Sequence, residues 1–240
     1  MSDFPPTLVA FDLDDTLYKE IDFLKSAYRE IALHAAQGDR RLADKAYGVM
    51  LQAYKDGGNA FLRLNELLGI ETPISEYLAM YRAHRPDIHL TPETREMLED
   101  LKAAGIVIAL ITDGRSAQQR NKIAALALNR WIADEDIVIS EEIGSEKPSE
   151  ANYRRLMELH PDAGRFVYVG DNPKKDFIAP NRLGWTTVCL LDNGKNIHLQ
   201  RLADTPPLAQ PQYTVATWLD MRRVLTSKGT VKSMPHLTND

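Results

Sequence analysis

Two aspartates that follow the first apolar segment of the chain are the first residues able to do chemistry. Asp12 and Asp14 come directly after the run 8–11. Because they lie two residues apart in an extended segment, their side chains leave it on the same side. Two carboxylates at ~4 Å repel each other by roughly 4 kcal/mol at an effective dielectric of about 20. A metal, a shared proton or a basic side chain must therefore offset that repulsion.

Further polar residues follow later apolar runs or lie in the loops near them. These residues are Thr112, Asp113, Lys147, Asp171 and Asp176. Backbone N–H groups at a turn such as the one after Thr112 can hold phosphate. Carboxylate oxygens from two or three aspartates are ligands that suit Mg²⁺, which keeps several of its waters. An aspartate can also act as a nucleophile toward phosphorus.

The elements that must position these residues are short apolar runs separated by helical patterns. The runs that end where polar residues begin are 8–11, 106–111, 137–139, 166–169 and 186–191. Continuous apolar strands are typical of a parallel sheet that is buried on both faces. Alternating strands and helices predict an open α/β sheet. In such sheets ligands bind outside the carboxyl ends of the strands, where the polar residues lie.

Residues 18–87 interrupt this alternation with apolar residues at spacings of three and four and without a strand pattern. We therefore predict two domains: an α/β core made of residues 1–17 and 88–240, and an inserted all-helical domain, 18–87. A last edge strand is expected at 213–216 and a helix at 218–225, and the segment 226–240 is predicted to be a loose tail.

Composition excludes several classes of protein. The 240 residues carry 29 Lys and Arg against 34 Asp and Glu, a net charge of −5 that disfavours binding to a nucleic acid polymer. The single cysteine, Cys189, excludes an internal disulfide. The N-terminus lacks a signal-peptide pattern and the longest apolar run is far too short to span a bilayer. We expect a cytoplasmic monomer or weak dimer that does not associate with membranes.

The polar residues, taken in order, resemble the motifs of the haloacid dehalogenase superfamily of hydrolases. The four matching motifs are Asp12-x-Asp14-x-Thr16-Leu17, Thr112 after an apolar strand, Lys147-Pro148, and Gly170-Asp171 followed by Asp176. The resemblance covers residues 8 to 192. It implies a Rossmann-like parallel sheet core, and the helical insert resembles the family's helical cap of the first type.

The resemblance also implies a role for each matching residue in a Mg²⁺-dependent phosphatase. Asp12 is then the nucleophile and a metal ligand. Asp14 is the general acid and base, and its backbone carbonyl binds the metal. The other implied roles are phosphate binding by Thr112 and the Asp113 N–H, charge compensation by Lys147, metal ligation by Asp171, and support from behind the metal ligands by Asp176.

Substrate selection is expected to depend on residues outside the four motifs. Tyr18 and Lys19 lie where the family's hinge begins, and the loop 55–59, with Lys55 and Asn59, breaks two helices of the insert. In capped members of the family such a loop can reach into the active site. The substrate implied is a small phosphorylated metabolite: a nucleotide, a sugar phosphate or a flavin precursor. Among the remaining residues, Cys189 is expected in the core, Asp15 in a solvent-facing or capping position, and His34 and His84 at the surface.

Several alternatives to phosphate monoester hydrolysis make different demands on the sequence. A phospho-acceptor receiver domain has its acceptor aspartate before the threonine and is about half as long, and a dinucleotide-binding protein needs a GxGxxG run that this chain lacks. True dehalogenases lack an acid at the position of Asp14. A sugar phosphomutase of the same family keeps Asp14 and stays open, and a retired enzyme serving as a phosphate-binding scaffold is disfavoured because every catalytic position is filled.

Overall fold

The residues that the structure describes form one six-stranded parallel sheet. The computed structural model describes residues 6–226. The strands are β1 (Thr7–Phe11), β2 (Val107–Thr112), β3 (Ile137–Ile139), β4 (Arg165–Gly170), β5 (Thr186–Leu190) and β6 (Tyr213–Val215). Their order across the sheet is β3-β2-β1-β4-β5-β6, and every neighbouring pair is parallel. The predicted Rossmann-like α/β fold is therefore confirmed.

Between residues 6 and 226, ten α-helices accompany the strands. They are α1 (Glu20–Ala35), α2 (Arg40–Lys55), α3 (Ala60–Leu68), α4 (Ile74–Ala83), α5 (Pro92–Ala103), α6 (Ser116–Ala125), α7 (Ser140–Ile143), α8 (Ala151–Leu159), α9 (Ile178–Arg182) and α10 (Trp218–Thr226). Short 3₁₀ turns lie at Leu128–Arg130, Asp134–Asp136 and Pro207–Ala209. None of the helices found between residues 6 and 226 is long and apolar enough to cross a membrane.

The strand order reverses its direction at β1, which sets the position of the site. From β1 the chain proceeds to β2 and β3 on one side, and then returns to build β4, β5 and β6 on the other. In open α/β sheets such a switch point leaves a crevice at the carboxyl ends of the two strands beside it. Here those strands are β1 and β4, which Asp12 and Asp171 directly follow.

The chain divides into two compact units. Among the described residues, the first unit, which contains the sheet, comprises 6–19, 90–116 and 127–226, and the second comprises 20–89 and 117–126. The predicted boundaries assigned the whole of 88–240 to the sheet, whereas most of α6 lies in the helical unit. Asn121 accounts for this, because its side-chain nitrogen donates to the backbone carbonyl oxygens of Ala83 and His84 at 3.1 and 3.0 Å. Lys122 also lies over the ring of Phe23, 4.7 Å from its centroid.

The helical unit has an aromatic core of its own. Tyr28, Phe61 and Tyr77 are buried, and the rings of Phe61 and Tyr77 stack with centroids 5.3 Å apart. The apolar spacing of three and four predicted helices in this segment, and α1 to α4 lie within it. That the helical segment is a separate domain stays a prediction.

Two predictions of exposure were wrong. His84 is buried, because its ring nitrogens are bonded to Ser26 Oγ at 2.8 Å and Glu30 Oε2 at 2.6 Å. Asp15 is also buried, with a left-handed backbone (φ 58°), and its Oδ2 accepts from the N–H of Ile197 at 2.8 Å. Satisfied hydrogen bonds remove most of the cost of burying such polar groups.

Other expectations were met in the C-terminal part of the chain. Cys189 is buried in β5, and the predicted last strand and helix correspond to β6 and α10. The predicted tail lies outside the described residues from position 227 onward.

Asn59 caps helix α3, and this generates a stability prediction. Its Oδ1 accepts from the N–H groups of Phe61 and Leu62 at 3.0 and 3.1 Å. Loss of such a cap costs about 1 kcal/mol. Asn59→Ala should therefore lower the free energy of unfolding by about that amount in urea denaturation. Asn59→Asp keeps an acceptor at the helix N-terminus and should preserve stability; equal losses in both variants would show that the cap contributes nothing.

Candidate active site

The site is built around the end of β1, where the backbone ladder continues for one residue past the strand. The N–H of Asp12 donates to the carbonyl oxygen of Val169 in β4 at 2.8 Å, which fixes Asp12 against the neighbouring strand end. Asp12 is only 5% exposed. Asp14, two residues later, is half-buried, and the hydroxyl of Tyr18 donates to its Oδ1 at 2.5 Å.

A buried lysine joins the first strand end to the fourth. The Nζ of Lys147 lies 2.8 Å from Asp12 Oδ1 and 2.8 Å from Asp176 Oδ1. It also donates to the hydroxyl of Tyr168 at 3.0 Å. An ammonium group has three N–H donors, and these three acceptors match them. Lys147 is therefore a fully bonded cation that holds two carboxylates together.

The loop that carries Lys147 is attached by Asp113. The N–H of Lys147 donates to Asp113 Oδ1 at 3.0 Å, and the Nζ of Lys175 donates to Asp113 Oδ2 at 3.0 Å. Asp113 directly follows Thr112, the buried last residue of β2. The predicted phosphate-binding segment, the lysine loop and the loop after β4 thus meet at one carboxylate.

Asp176 returns over the end of β4, and only glycine at position 170 permits this approach. A Cβ on Gly170 would lie 2.5 Å from Asp176 Oδ2, which is closer than real Cβ contacts allow. Asp176 is fully buried, and its Oδ2 accepts from the N–H groups of Asp171 and Asn172 at 3.2 and 2.8 Å. Since its other oxygen accepts from Lys147, both oxygens already have partners.

Charge is not balanced among these buried groups. Burial raises the pKa of Asp12 to about 6, although Lys147 acts in the opposite direction. Burial, together with the charges of Asp176 and Asp12, raises the pKa of Asp171 to about 8. Burial opposes the charge of Lys147, but the carboxylates of Asp12 and Asp176 outweigh it and raise its pKa well above the usual value. The protein alone therefore disfavours full ionisation of its own carboxylates.

The donor set of this cluster fits a divalent cation. Asp12, Asp171 and Asp176 each offer one oxygen such that all three lie within 4.8 Å of one another. Hard oxygen ligands from carboxylates are those that Mg²⁺ prefers. Because both oxygens of Asp176 are occupied by hydrogen bonds, Asp12 and Asp171 are the better placed ligands, and Asp176 supports them from behind.

The residues predicted to select the substrate belong to different units of the chain. Tyr18 is buried and bonded to Asp14, and Lys19 donates from Nζ to Asn196 Oδ1 at 2.5 Å; both belong to the unit that contains the sheet. Lys55 and Asn59 belong to the helical unit. Lys55 ends α2 and is exposed, whereas Asn59 serves as the cap of α3.

Four polar residues of the site had no predicted role: Tyr168, Lys175, Asn196 and Gln200. Tyr168 lies within an apolar strand, so no polar pattern in the sequence marked it. Lys175 lies in the segment GDNPKKD beside Asp176, and Asn196 follows the polar end of β5. Parallel strands end at one edge of the sheet. This rule could have placed Lys175 and Asn196 near the site, because they follow β4 and β5 of the same sheet.

The parallel sheet is ordered β3-β2-β1-β4-β5-β6, and aspartates, a threonine and a lysine lie at its carboxyl edge, where ligands bind in open α/β sheets. The model of one family, the haloacid dehalogenase-like hydrolases, matches residues 6–184. The chain belongs to this family, which confirms the superfamily predicted from the motifs.

Curated relatives of this chain are named as phosphatases. The glyceraldehyde 3-phosphate phosphatase of Methanocaldococcus jannaschii is 29% identical over 193 residues, which are 76% of this chain and 84% of that protein. The ribulose-1,5-bisphosphate 5-phosphatase of Halopiger xanaduensis is 30% identical over 203 residues, 76% of this chain and 83% of that protein. These relatives confirm the prediction of a phosphoric monoester hydrolase.

A solved structure shares the fold. The HAD-hydrolase YfnB from Bacillus subtilis, bound to magnesium, superposes with a TM-score of 0.60 at 16% identity and covers 93% of this chain and 99% of its own. At that identity the likeness concerns the fold alone.

The excess of buried carboxylates predicts an unusual response to a neutralising substitution. Without a cation, the folded protein keeps a proton on Asp171 that the unfolded chain releases, so this group makes folding less favourable as pH rises from about 4 to about 8. Asp171→Asn should raise the melting temperature in excess chelator at pH 8 and change it less at pH 5. At this chain length each kcal/mol corresponds to about 2–4 °C.

Two further measurements complete this test. Mg²⁺ should raise the melting temperature of the wild-type protein and not that of Asp171→Asn. The matched control is Asp162→Asn, which changes an exposed aspartate and should behave as the wild type. A variant at position 171 that is destabilised at pH 8, or stabilised by Mg²⁺ as strongly as the wild type, would contradict the assignment.

Proposed function

We propose that the chain is a Mg²⁺-dependent phosphatase that hydrolyses a small phosphate monoester through a phosphoaspartate on Asp12. The observation that carries this proposal is the buried Lys147, which lies 2.8 Å from both Asp12 and Asp176. Asp12 follows β1, where the strand order reverses, and Lys147 partly offsets the negative charges around it. An aspartate in this position is suited to attack an anionic phosphoryl group.

In the first half of the reaction, a carboxylate oxygen of Asp12 attacks phosphorus. The bond between phosphorus and the ester oxygen breaks, and that oxygen takes a proton from Asp14. Tyr18 donates to Asp14 Oδ1 at 2.5 Å, so the carboxyl group is held in one orientation while its other oxygen serves the leaving group. Thr112 and the Asp113 N–H hold the phosphoryl oxygens, and the nearby ammonium of Lys147 offsets their charge.

In the second half, Asp14 accepts a proton from water as that water attacks the phosphorus of the phosphoaspartate. The bond between phosphorus and Asp12 breaks, which releases inorganic phosphate and restores both aspartates. The same group thus acts first as acid and then as base, and the position of Asp14 two residues after the nucleophile suits both tasks.

Asp12, Asp171 and the backbone carbonyl of Asp14 are the proposed ligands of Mg²⁺. When bound, the ion supplies positive charge that offsets the phosphoryl and aspartate charges. This proposal is supported by the carboxylates within 4.8 Å of one another and by the raised pKa of Asp171.

The proposed substrate is a small phosphorylated metabolite that carries few carbons. Two relatives are named for glyceraldehyde 3-phosphate and ribulose-1,5-bisphosphate, and a further one, from Thermus thermophilus, is named a phosphoserine phosphatase. These names favour sugar phosphates and related acids over nucleotides, and favour hydrolysis over a mutase reaction. The proposed location is the cytoplasm, which a chain with one buried cysteine suits.

Activity should require both Mg²⁺ and Asp12. A panel of phosphorylated metabolites and a generic aryl phosphate should be hydrolysed with Mg²⁺ and not in excess chelator. Asp12→Asn should abolish turnover, whereas Asp14→Asn should reduce it by roughly 10²–10⁴-fold and least for good leaving groups. Beryllofluoride should attach to Asp12. Full activity in chelator, or a phosphate mimic on another residue, would contradict the mechanism.

Lys55 is the proposed contact of the helical unit with the substrate. Because Asn59 caps α3, its replacement would mix stability with specificity, so Lys55→Ala is the cleaner change. We expect a loss in kcat/KM that is confined largely to the best metabolite and spares the aryl phosphate. Lys45→Ala, an exposed lysine on the same helix, is the matched control. Equal losses on both substrates, or none, would show that Lys55 does not select the substrate.

A further inference from the structure

The segment that follows β5 forms a compact loop over the end of β4. Asp192 begins it, and its Oδ1 accepts from the N–H groups of Gly194, Lys195 and Asn196 at 2.8, 3.0 and 3.0 Å. We call residues 192–200 the β5 loop. Its backbone turns are therefore fixed by one side chain of its own.

Two residues of the β5 loop, Ile197 and Gln200, attach it to the strand ends. The N–H of Ile197 donates to Asp15 Oδ2 at 2.8 Å, next to the segment after β1. The side-chain nitrogen of Gln200 donates to the carbonyl oxygens of Asp171 and Leu190 at 2.6 and 3.0 Å. The loop is thus held at the ends of β1, β4 and β5.

Asn196, in the middle of this loop, contacts the side chain of Asp171. Its Nδ2 donates to Asp171 Oδ2 at 2.8 Å, and its Oδ1 accepts from the Nζ of Lys19 at 2.5 Å. Lys19 also donates to the carbonyl oxygen of Asp15 at 3.4 Å. A chain of hydrogen bonds therefore runs from Lys19 through Asn196 to Asp171.

Lys19 determines which way the amide of Asn196 faces. A lysine ammonium can only donate, so it must meet the oxygen of the amide and not its nitrogen. The NH₂ group is thereby turned toward Asp171, where it can only donate to the carboxylate. The amide thereby orients the carboxyl group of Asp171 while placing only a neutral donor beside it. A direct contact with Lys19 would instead place a full positive charge there.

We propose that Asn196 and Lys19 are positioning residues for the Mg²⁺ ligand Asp171. The pair fixes one oxygen of that carboxylate and so preorganises the group for the cation. Hydrogen-bond partners behind metal ligands typically change metal affinity by about 10–100-fold when removed. This inference rests on the proposed function and replaces the expectation that Lys19 contacts the substrate.

The experiment measures Mg²⁺ affinity without substrate. The variants are Asn196→Ala, Lys19→Met and Lys19→Arg, and the matched control is Lys195→Met, an exposed lysine of the same loop whose bond to Asp192 is made by its backbone. Isothermal titration and the Mg²⁺-dependent rise in melting temperature give the dissociation constant. Melting in excess chelator shows whether each variant is folded.

We expect Asn196→Ala and Lys19→Met each to weaken Mg²⁺ binding by about tenfold or more. The double variant should lose no more than Asn196→Ala alone, because both residues act through one contact. Lys19→Arg should restore most of the affinity, and Lys195→Met should match the wild type. With the aryl phosphate, the Mg²⁺ concentration for half-maximal activity should rise while kcat recovers at saturating Mg²⁺ and KM stays nearly constant.

Three outcomes would overturn this inference. Unchanged Mg²⁺ affinity in Asn196→Ala would show that Asp171 needs no such support. A change in KM without a change in Mg²⁺ affinity for Lys19→Met would return Lys19 to substrate binding. Either result, beside a wild type that binds Mg²⁺ and hydrolyses phosphate, leaves the proposed function intact. A wild-type protein that does not bind Mg²⁺ would instead overturn the proposed function together with this inference.

Discussion

The ion cluster around Lys147 is the interaction on which the rest of the site depends. Its single ammonium group lies between Asp12 and Asp176, and all three groups are withdrawn from water. Removing one partner of such a cluster leaves an uncompensated buried charge, which is far more costly than a lost surface ion pair. Even when complete, the cluster disfavours the ionised form of Asp171, because burial and the charges of Asp176 and Asp12 raise its pKa to about 8. A bound cation can therefore supply the positive charge that these buried carboxylates lack.

The fold brings this cluster together from distant parts of the sequence. β1 lies in the middle of the sheet with β2 and β4 as neighbours, so segments near positions 12, 112 and 171 share one edge. The lysine loop follows β3 and is fastened to that edge by Asp113 rather than by a strand. Strand order thus places Asp12 and Asp171 side by side, while a bond from the Lys147 N–H to Asp113 helps to place the Lys147 ammonium.

The sequence predicted the parts of the molecule that obey a local rule. Apolar runs predicted five of the strands, and the four motifs predicted Asp12, Lys147 and Asp176, the charged residues of the cluster. Contacts that depend on three-dimensional approach could not be predicted in this way. The burial of His84 depends on partners 54 and 58 residues away along the chain. The attachment of the β5 loop to Asp15 likewise joins residues separated by 182 positions.

Gly170 has a consequence for how this chain can vary. Substitution scales treat alanine as a near equivalent of glycine, and at an exposed strand end that exchange is usually harmless. Here the methyl group of alanine would occupy the space taken by Asp176 Oδ2. The smallest possible side chain would therefore push away the carboxylate that receives Lys147 and the two N–H groups after β4. A substitution of Gly170 would therefore change the position of Asp176 as well, although residue 170 has no functional group of its own.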